Sequence, residues 1–136
     1  MVNAVAFTGQ ELQNKKSNFF EKFENYNFNV WQKSLSGNLS SNFIIIKSVS
    51  KHMLKKKSGS IINIASDVGI ISPDHRIYEE NKKINYKGVD FNTPLSYSVS
   101  KSGIISMTRY LATYWAKFGI RVNCISPAGV YKKQDK

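Results

Sequence analysis

Apolar residues along this chain fall into short runs separated by longer amphipathic stretches. Val2 to Phe7 is a brief apolar run, consistent with a buried strand. Thr8 to Asn29 is polar with Phe19, Phe20, Phe23, Tyr26 and Phe28 interspersed, which predicts a loop with a weak helical turn. Trp31 to Leu35 begins a helical segment that Gly37 interrupts. Leu39, Phe43, Ile46, Val49, Ser50 and Met53 then recur at helical spacing. Lys55 to Lys57 suit a helix C-terminus, where cations meet the negative end of the dipole, and Ser58-Gly59-Ser60 ends it. Ile61 to Ala65 predicts a second buried strand, closing at Ser66. Residues 67–93 contain Gly69, Pro73, Gly88 and many charges, and read as a long loop, a feature that is usually functional or mobile. Thr93 is placed to cap a helix with Pro94 at its first position. That helix carries Ile105, Thr108, Leu111, Ala112 and Trp115 to about Phe118, with Gly119 at its stop. Ile120 to Ile125 is a third strand, followed by the tight loop Ser126-Pro127-Ala128-Gly129.

The order strand, helix, strand, helix, strand predicts an α/β fold. Right-handed crossovers give three parallel strands covered by helices. No repeat or low-complexity linker divides residues 1–136, so one domain is expected. Hydrophobic residues make up 41% of the chain, a globular composition. The net charge of +11 raises the question of nucleic acid. The basic residues form no single stripe, however: only Lys55-Lys56-Lys57 and the tail Lys132, Lys133, Lys136 cluster, so no nucleic-acid partner is expected. Cys124 is alone, which suits a reducing compartment. No apolar run approaches the ~20 residues of a membrane span, and a cytoplasmic, membrane-free protein is expected.

Chemistry concentrates in Ser96-Tyr97-Ser98-Val99-Ser100-Lys101. Tyr97 and Lys101 are four apart at the start of a predicted helix and share one of its faces. A phenol ionises near ~10 and is a poor base at neutral pH. An ammonium about 4 Å away is worth roughly 4 kcal/mol at an effective dielectric of ~20, the order needed to favour a phenolate. An exposed, inert pair is the competing reading. In an open parallel sheet, sites form at the carboxyl ends of the strands. Asn3, Ser66, Tyr97, Lys101 and the Pro127–Gly129 loop are all expected at that edge, which favours the functional reading.

These residues together resemble the short-chain dehydrogenase/reductase family. The matching pieces are Val2-Asn3-Ala4, Asn38 in Gly37-Asn38-Leu39, and Ile62-Asn63-Ile64-Ala65-Ser66. They continue in Tyr97-Ser98-Val99-Ser100-Lys101-Ser102-Gly103 and Gly119-Ile120-Arg121-Val122-Asn123-Cys124-Ile125-Ser126-Pro127. The resemblance implies a partial Rossmann-like, doubly wound parallel sheet of three strands with two long helices. It implies hydride transfer between NAD or NADP and a small-molecule secondary alcohol or ketone. Tyr97 would be the acid/base, Ser66 would bond the same substrate oxygen, and Lys101 would favour the phenolate and bind the cofactor ribose. Asn38 would hold a water linking Lys101 to solvent, at a helix break. Asn3, Ala4, Pro127 and Gly129, with Tyr97 and Lys101, would contact cofactor. Ser66 as a mere loop cap and Asn38 as a plain surface amide are the alternatives, while Asn63 and Asn123 read as structural. The family's habit of packing its two long helices about a two-fold axis implies a homo-oligomer, with Phe43, Lys47, Met107 and Tyr114 pointing outward.

The chain departs from the family pattern in several places. It has no Gly-rich strand–turn–helix loop for a pyrophosphate and no acidic residue after a second strand for the ribose. It is expected to begin at the family's fourth strand and to stop soon after the sixth. The usual Pro-Gly reads Pro127-Ala128-Gly129, with Tyr131, Lys132 and Lys133 where a hydroxyl residue often follows. A fragment of such an enzyme is therefore expected, with a non-catalytic remnant as the alternative and a basic binding module as the more distant one. The segment Ser72-Pro73-Asp74-His75-Arg76-Ile77-Tyr78-Glu79 resembles a subgroup tied to bacterial surface-sugar and flagellin modification. That implies a sugar or sugar-nucleotide substrate, with Arg76 and Tyr78 as candidate contacts. A loop that only packs on a neighbouring subunit or lies in solvent is the equal alternative, and His75 reads as a loop residue.

Overall fold

In the computed structural model, residues 1–7, 19–79, 85–86, 89–90 and 92–129 are described. The expectations for Gly88, Tyr131 and the lysine tail lie outside these residues. Strand β1 (Val2–Asn3) leads to helix α1 (Phe28–Leu35), a π turn over Ser36–Ser40, helix α2 (Ser41–Lys56) and strand β2 (Gly59–Ile64). Helix α3 (Arg76–Glu79) and the short strands β3 (Asn85–Tyr86) and β4 (Val89–Asp90) follow, then helix α4 (Leu95–Trp115) and strand β5 (Ile120–Ile125). The main sheet runs β1-β2-β5 with both pairings parallel: Asn3 lies opposite Asn63, and Ile61 opposite Val122. The three-stranded parallel sheet with two long helices is as the apolar pattern predicts.

Both crossovers step the same way across the sheet, and right-handed crossovers then put both helices on one face. The sidedness of β5 agrees: Ile120 and Val122 are buried while Arg121, Asn123 and Ile125 are exposed. Ile46, Ile61, Trp115, Ile120 and Val122 form the core, with Met53, Met107 and Leu111 against it. Each side chain of this size, fully buried, contributes about 1.5–3 kcal/mol. Among the described residues, no helix is long and apolar enough to cross a membrane.

Several local expectations are corrected. The first strand is only Val2–Asn3, and Ala4 to Phe7 leave it. Helix α1 starts at Phe28, not Trp31, because Asn27 caps it, its Oδ1 accepting from the amides of Asn29 and Val30. The interruption expected at Gly37 takes the form of a π turn: the α pattern stops at Leu35, widens over Ser36–Ser40 and resumes at Ser41. The left-handed residue ending α2 is Lys57 (φ 51°), not Gly59. The amides of Ser58 and Lys57 donate to the carbonyls of Met53 and Leu54, a Schellman arrangement that satisfies the last turn. Thr93 does not cap α4: Pro94 holds the N-cap position without a side-chain bond. The segment read as a plain loop carries α3 and the β3–β4 pair. Gly119 is as expected, with φ 68° and a Cβ position only 2.8 Å from the Lys57 carbonyl oxygen.

Candidate active site

The carboxyl ends of the three parallel strands open into a cleft of about 350 Å³. Its floor is Ile64, Ala65 and Ser66 leaving β2, and one wall is Ala4 and Ala6 after β1. The other walls are Pro127, Ala128 and Gly129 after β5, and Tyr97 and Lys101 on α4. The ladder between β2 and β5 persists past the strands: the Ala65 amide donates to the Ile125 carbonyl at 2.8 Å, and the Asp67 amide to the Pro127 carbonyl at 3.1 Å. Those bonds fix the turn carrying Ser66 against the loop carrying Pro127.

Lys101 is 2% exposed, unusual for a lysine. Its Nζ donates to the Ile64 carbonyl at 3.0 Å and lies 5.5 Å from the centre of the Tyr97 ring. Burial lowers its basicity below the usual lysine value, partly offset by Cys124. The four-residue spacing sets both side chains on one helical face, and the strand carbonyl aims the ammonium. Helix α4 comes this close to the cleft because of Gly69. A Cβ there would lie 2.8 Å from the Lys101 carbonyl carbon and 2.9 Å from the Ser102 nitrogen, so any side chain would push the helix away. The Ser102 hydroxyl completes the joint by donating to the Gly69 carbonyl at 2.8 Å.

Ser66 is buried and stands at the N-cap position of the short turn Asp67–Gly69, yet its side chain makes no capping bond. Its hydroxyl donates to the Asp67 carboxylate at 2.7 Å, and the same carboxylate oxygen accepts from the Val68 amide at 2.8 Å. With its proton directed to Asp67, the serine oxygen keeps lone pairs for an incoming hydroxyl.

The cleft therefore gathers Ala4, Ser66, Tyr97, Lys101, Pro127 and Gly129 of the expected residues, but not Asn3 or Asn38. Asn3 is buried, paired in register with Asn63, and forms no part of the cleft lining. Asn38 is fully buried in the π turn, and its amide clamps the backbone of Phe7. Oδ1 accepts from the Phe7 amide at 2.6 Å and Nδ2 donates to the Phe7 carbonyl at 3.1 Å. The break expected at Asn38 is this π turn, which separates α1 from α2. Asn63 ties β2 to α4 through a side chain, its Nδ2 donating to Thr108 Oγ1 at 2.9 Å. Ala6, Asp67 and Gly69 were not found from sequence. Asp67 follows Ser66 directly, and a glycine five residues past the end of β2 was a sign of close approach.

The segment after the cleft engages its own side chains. Arg76 pairs with Asp74 at 2.6 Å on the surface, raising its own basicity and lowering that of the carboxylate. His75 faces Asn92, and the Tyr78 hydroxyl lies 2.6 Å from Thr93 Oγ1. Among the described residues, no group of three or more His, Cys, Asp or Glu is placed to hold a metal.

A family model described as Enoyl-(Acyl carrier protein) reductase matches residues 1–135. The NAD-dependent glycerol dehydrogenase of Listeria innocua is 29% identical over 116 residues, 85% of this chain and 39% of the relative. A 3-oxoacyl-[acyl-carrier-protein] reductase of Chlamydia pneumoniae is 39% identical over 97 residues, 71% of this chain and 32% of the relative. The crystal structure of a short chain dehydrogenase from Leptospira borgpetersenii with bound NAD+ superposes with a TM-score of 0.75 at 31% identity, covering 98% of this chain and 44% of that one. The chain thus spans less than half the length of these relatives. Given the parallel sheet, the Tyr97–Lys101 pair at its carboxyl edge and a match running from residue 1 to residue 135, the chain belongs to the short-chain dehydrogenase/reductase family.

Proposed function

We propose that the protein is an NAD(P)-dependent oxidoreductase interconverting a secondary alcohol and a ketone, with Tyr97 as its acid/base. The observation that carries this reading is the buried Lys101 ammonium, held by the Ile64 carbonyl beside the Tyr97 ring, in a cleft that also contains Ser66. A structural lysine gains nothing from such burial; a lysine that supports charge on a neighbouring phenol does.

The cleft fits the nicotinamide–ribose end of a dinucleotide. Its walls at Ala4, Ala6, Ala128 and Gly129 are small enough for a flat ring, and Lys101 offers a donor for ribose hydroxyls. When bound, the nicotinamide supplies the hydride acceptor or donor. Tyr97 takes the proton of the substrate hydroxyl in oxidation and returns it in reduction. Ser66 holds the same oxygen: it accepts from the substrate hydroxyl while its proton is on Asp67, and it turns that proton to the ketone oxygen in reduction. Asn38 holds the chain after β1 at the cleft edge; any water it binds must share its carbonyl with Asn42, because its side chain is engaged with Phe7. Asn3 acts on the cofactor only through the backbone that carries Ala4. The lone thiol suits the cytoplasm.

Two substrate classes are tested together. The surface-sugar subgroup resemblance and the similarity to a glycerol dehydrogenase favour a polyol or sugar, free or nucleotide-linked. The full-length protein is assayed with glycerol, longer polyols and a nucleotide-linked hexose in the presence of NAD+ or NADP+, and with a 3-oxoacyl thioester in the presence of NADH or NADPH. Turnover of a polyol or sugar is expected. Turnover of the thioester alone corrects the substrate class, and inactivity on every pair sinks the assignment.

The oligomer is the second part of the proposal. Phe43, Tyr110 and Tyr114 are exposed along the two long helices, and a shallow groove between those helices is lined by Leu39, Phe43, Gly103, Met107 and Tyr110. A second copy packing its own α2 and α4 there buries both apolar faces. Equilibrium sedimentation of the full-length protein should give a dimer or tetramer at micromolar concentration; a monomer overturns it.

A further inference from the structure

The first turn of α4 carries Tyr97, yet it has no cap of its own. Pro94 makes no side-chain capping bond, and the hydroxyl of Thr93 is turned to Tyr78. Helix first turns without caps leave amides unpaired and fray readily. One turn later the helix is firmly held, by Lys101 Nζ on the Ile64 carbonyl and by the close joint at Gly69. The separation of Tyr97 from Lys101 and Ser66 therefore depends on what restrains the first turn.

Ser96 is fully buried, and its Oγ lies 2.7 Å from the phenolic oxygen of Tyr26, a residue 70 positions earlier. Tyr26 lies between the short 3-10 turn Phe23–Asn25 and α1, and burial raises its ionisation above the usual phenol value. It is therefore a neutral hydroxyl across the working range. Behind Tyr97, the Ser100 hydroxyl donates to the Tyr97 carbonyl at 2.8 Å, so Tyr97 is flanked by a hydroxyl on its own carbonyl and by the Ser96 side chain bonded to Tyr26.

We infer that the Tyr26–Ser96 hydroxyl pair positions Tyr97 for proton transfer, by fixing the uncapped first turn of α4 to the segment ahead of α1. Tyr26 and Ser96 are then positioning residues, outside the cleft lining, and the inference rests on the acid/base reading of Tyr97. Misplacing a reacting group by about 1 Å can cost on the order of 10²-fold in rate. A turn that frays part of the time loses a share of that.

The test uses the full-length protein and whichever alcohol or ketone of the panel above turns over. Tyr26→Phe removes one oxygen and keeps the ring. It is expected to lower kcat about 5–30-fold with KM for substrate and nicotinamide within about 2-fold, because bound substrate is held by other groups. Ser96→Ala should show the same loss, the double variant no more than either, and Ser96→Thr most of the original rate, since one shared bond can be lost only once. Native-state hydrogen exchange supplies a readout free of substrate. The amides of Tyr97 and Ser98, both bonded to the Pro94 carbonyl, should exchange about tenfold faster in Tyr26→Phe, while those of Ile61 and Val122 in the sheet stay as they were. Both results together support the inference. An unchanged kcat, unchanged exchange at Tyr97 and Ser98, additive losses, or faster exchange throughout the sheet each overturn it. If Tyr97→Phe retains the rate, the acid/base reading has failed; if Tyr97→Phe is inactive and Tyr26→Phe is fully active, only this inference has.

Discussion

Tyr97→Phe in the full-length protein is expected to lower turnover by about 10²–10⁴-fold, the range attributed to one positioned acid/base group, while nicotinamide binding stays within about 3-fold. The substitution removes a single oxygen. The ring remains beside Lys101, whose position depends on the Ile64 carbonyl and not on the phenol. The backbone around it is still held by the Pro94 carbonyl and the Ser100 hydroxyl. The cofactor contacts proposed for Lys101 and the small-residue walls would be untouched, so loss should appear in kcat and not in affinity. A variant keeping more than a tenth of the wild-type rate shows that another group carries the proton. Ser66 would then be the next candidate, because the adjacent Asp67 accepts its hydroxyl proton.

Lys101→Met is expected to reduce both rate and nicotinamide affinity by more than tenfold and yet to raise the melting temperature. Methionine keeps the unbranched stem and removes the charge. Lys101 as a residue is almost fully buried, and the one bond described for its ammonium is to a neutral carbonyl, so desolvation outweighs what that bond returns. The melting temperature should rise by about 2–4 °C for each kcal/mol recovered. Burial lowers the folded-state pKa of Lys101 below its unfolded value. Between those two values the unfolded chain binds more protons, so wild-type stability attributable to this group increases with pH across that window and is least below it. The advantage of Lys101→Met should therefore be largest at neutral pH and shrink as pH rises toward the unfolded lysine value. A melting temperature that falls, or an advantage that grows with pH, contradicts the idea that function retains a destabilising charge. Lys101→Ala tests the catalytic half of the argument but leaves a void, so its stability cannot be read in the same way.

The part of this site legible in the sequence is the part made by short-range geometry. Tyr97 and Lys101 share a face because a helix repeats every 3.6 residues, whatever surrounds it. Ser66, Ala4 and the Pro127–Gly129 loop fall at one edge because three short apolar runs alternating with helical stretches leave parallel crossovers as the natural solution. The helix termini were less legible. Asn27 and Lys57 act where Trp31 and Gly59 were expected, since a cap depends on which hydrogen bonds the neighbouring chain leaves open. Arg76 and Tyr78 look like ligand contacts by residue type, and in the fold Arg76 pairs with Asp74 while the Tyr78 hydroxyl meets Thr93.

By itself, then, the sequence determined the order of the main strands and helices, the parallel sheet and the Tyr97–Lys101 pair, because periodicity and local spacing carry that information, while the family came from the resemblance of its motifs. Only the tertiary structure decided that Asn38 clamps Phe7, 31 residues away, and that Lys101 donates to Ile64 across 37 residues. It also decided that Gly69 is a contact surface for α4 and that Tyr26 reaches Ser96. The physical reason is that amides, hydroxyls and glycines occur throughout the chain with many possible partners. Which of them meet is settled by how helices seat on the sheet, and no local pattern encodes that seating.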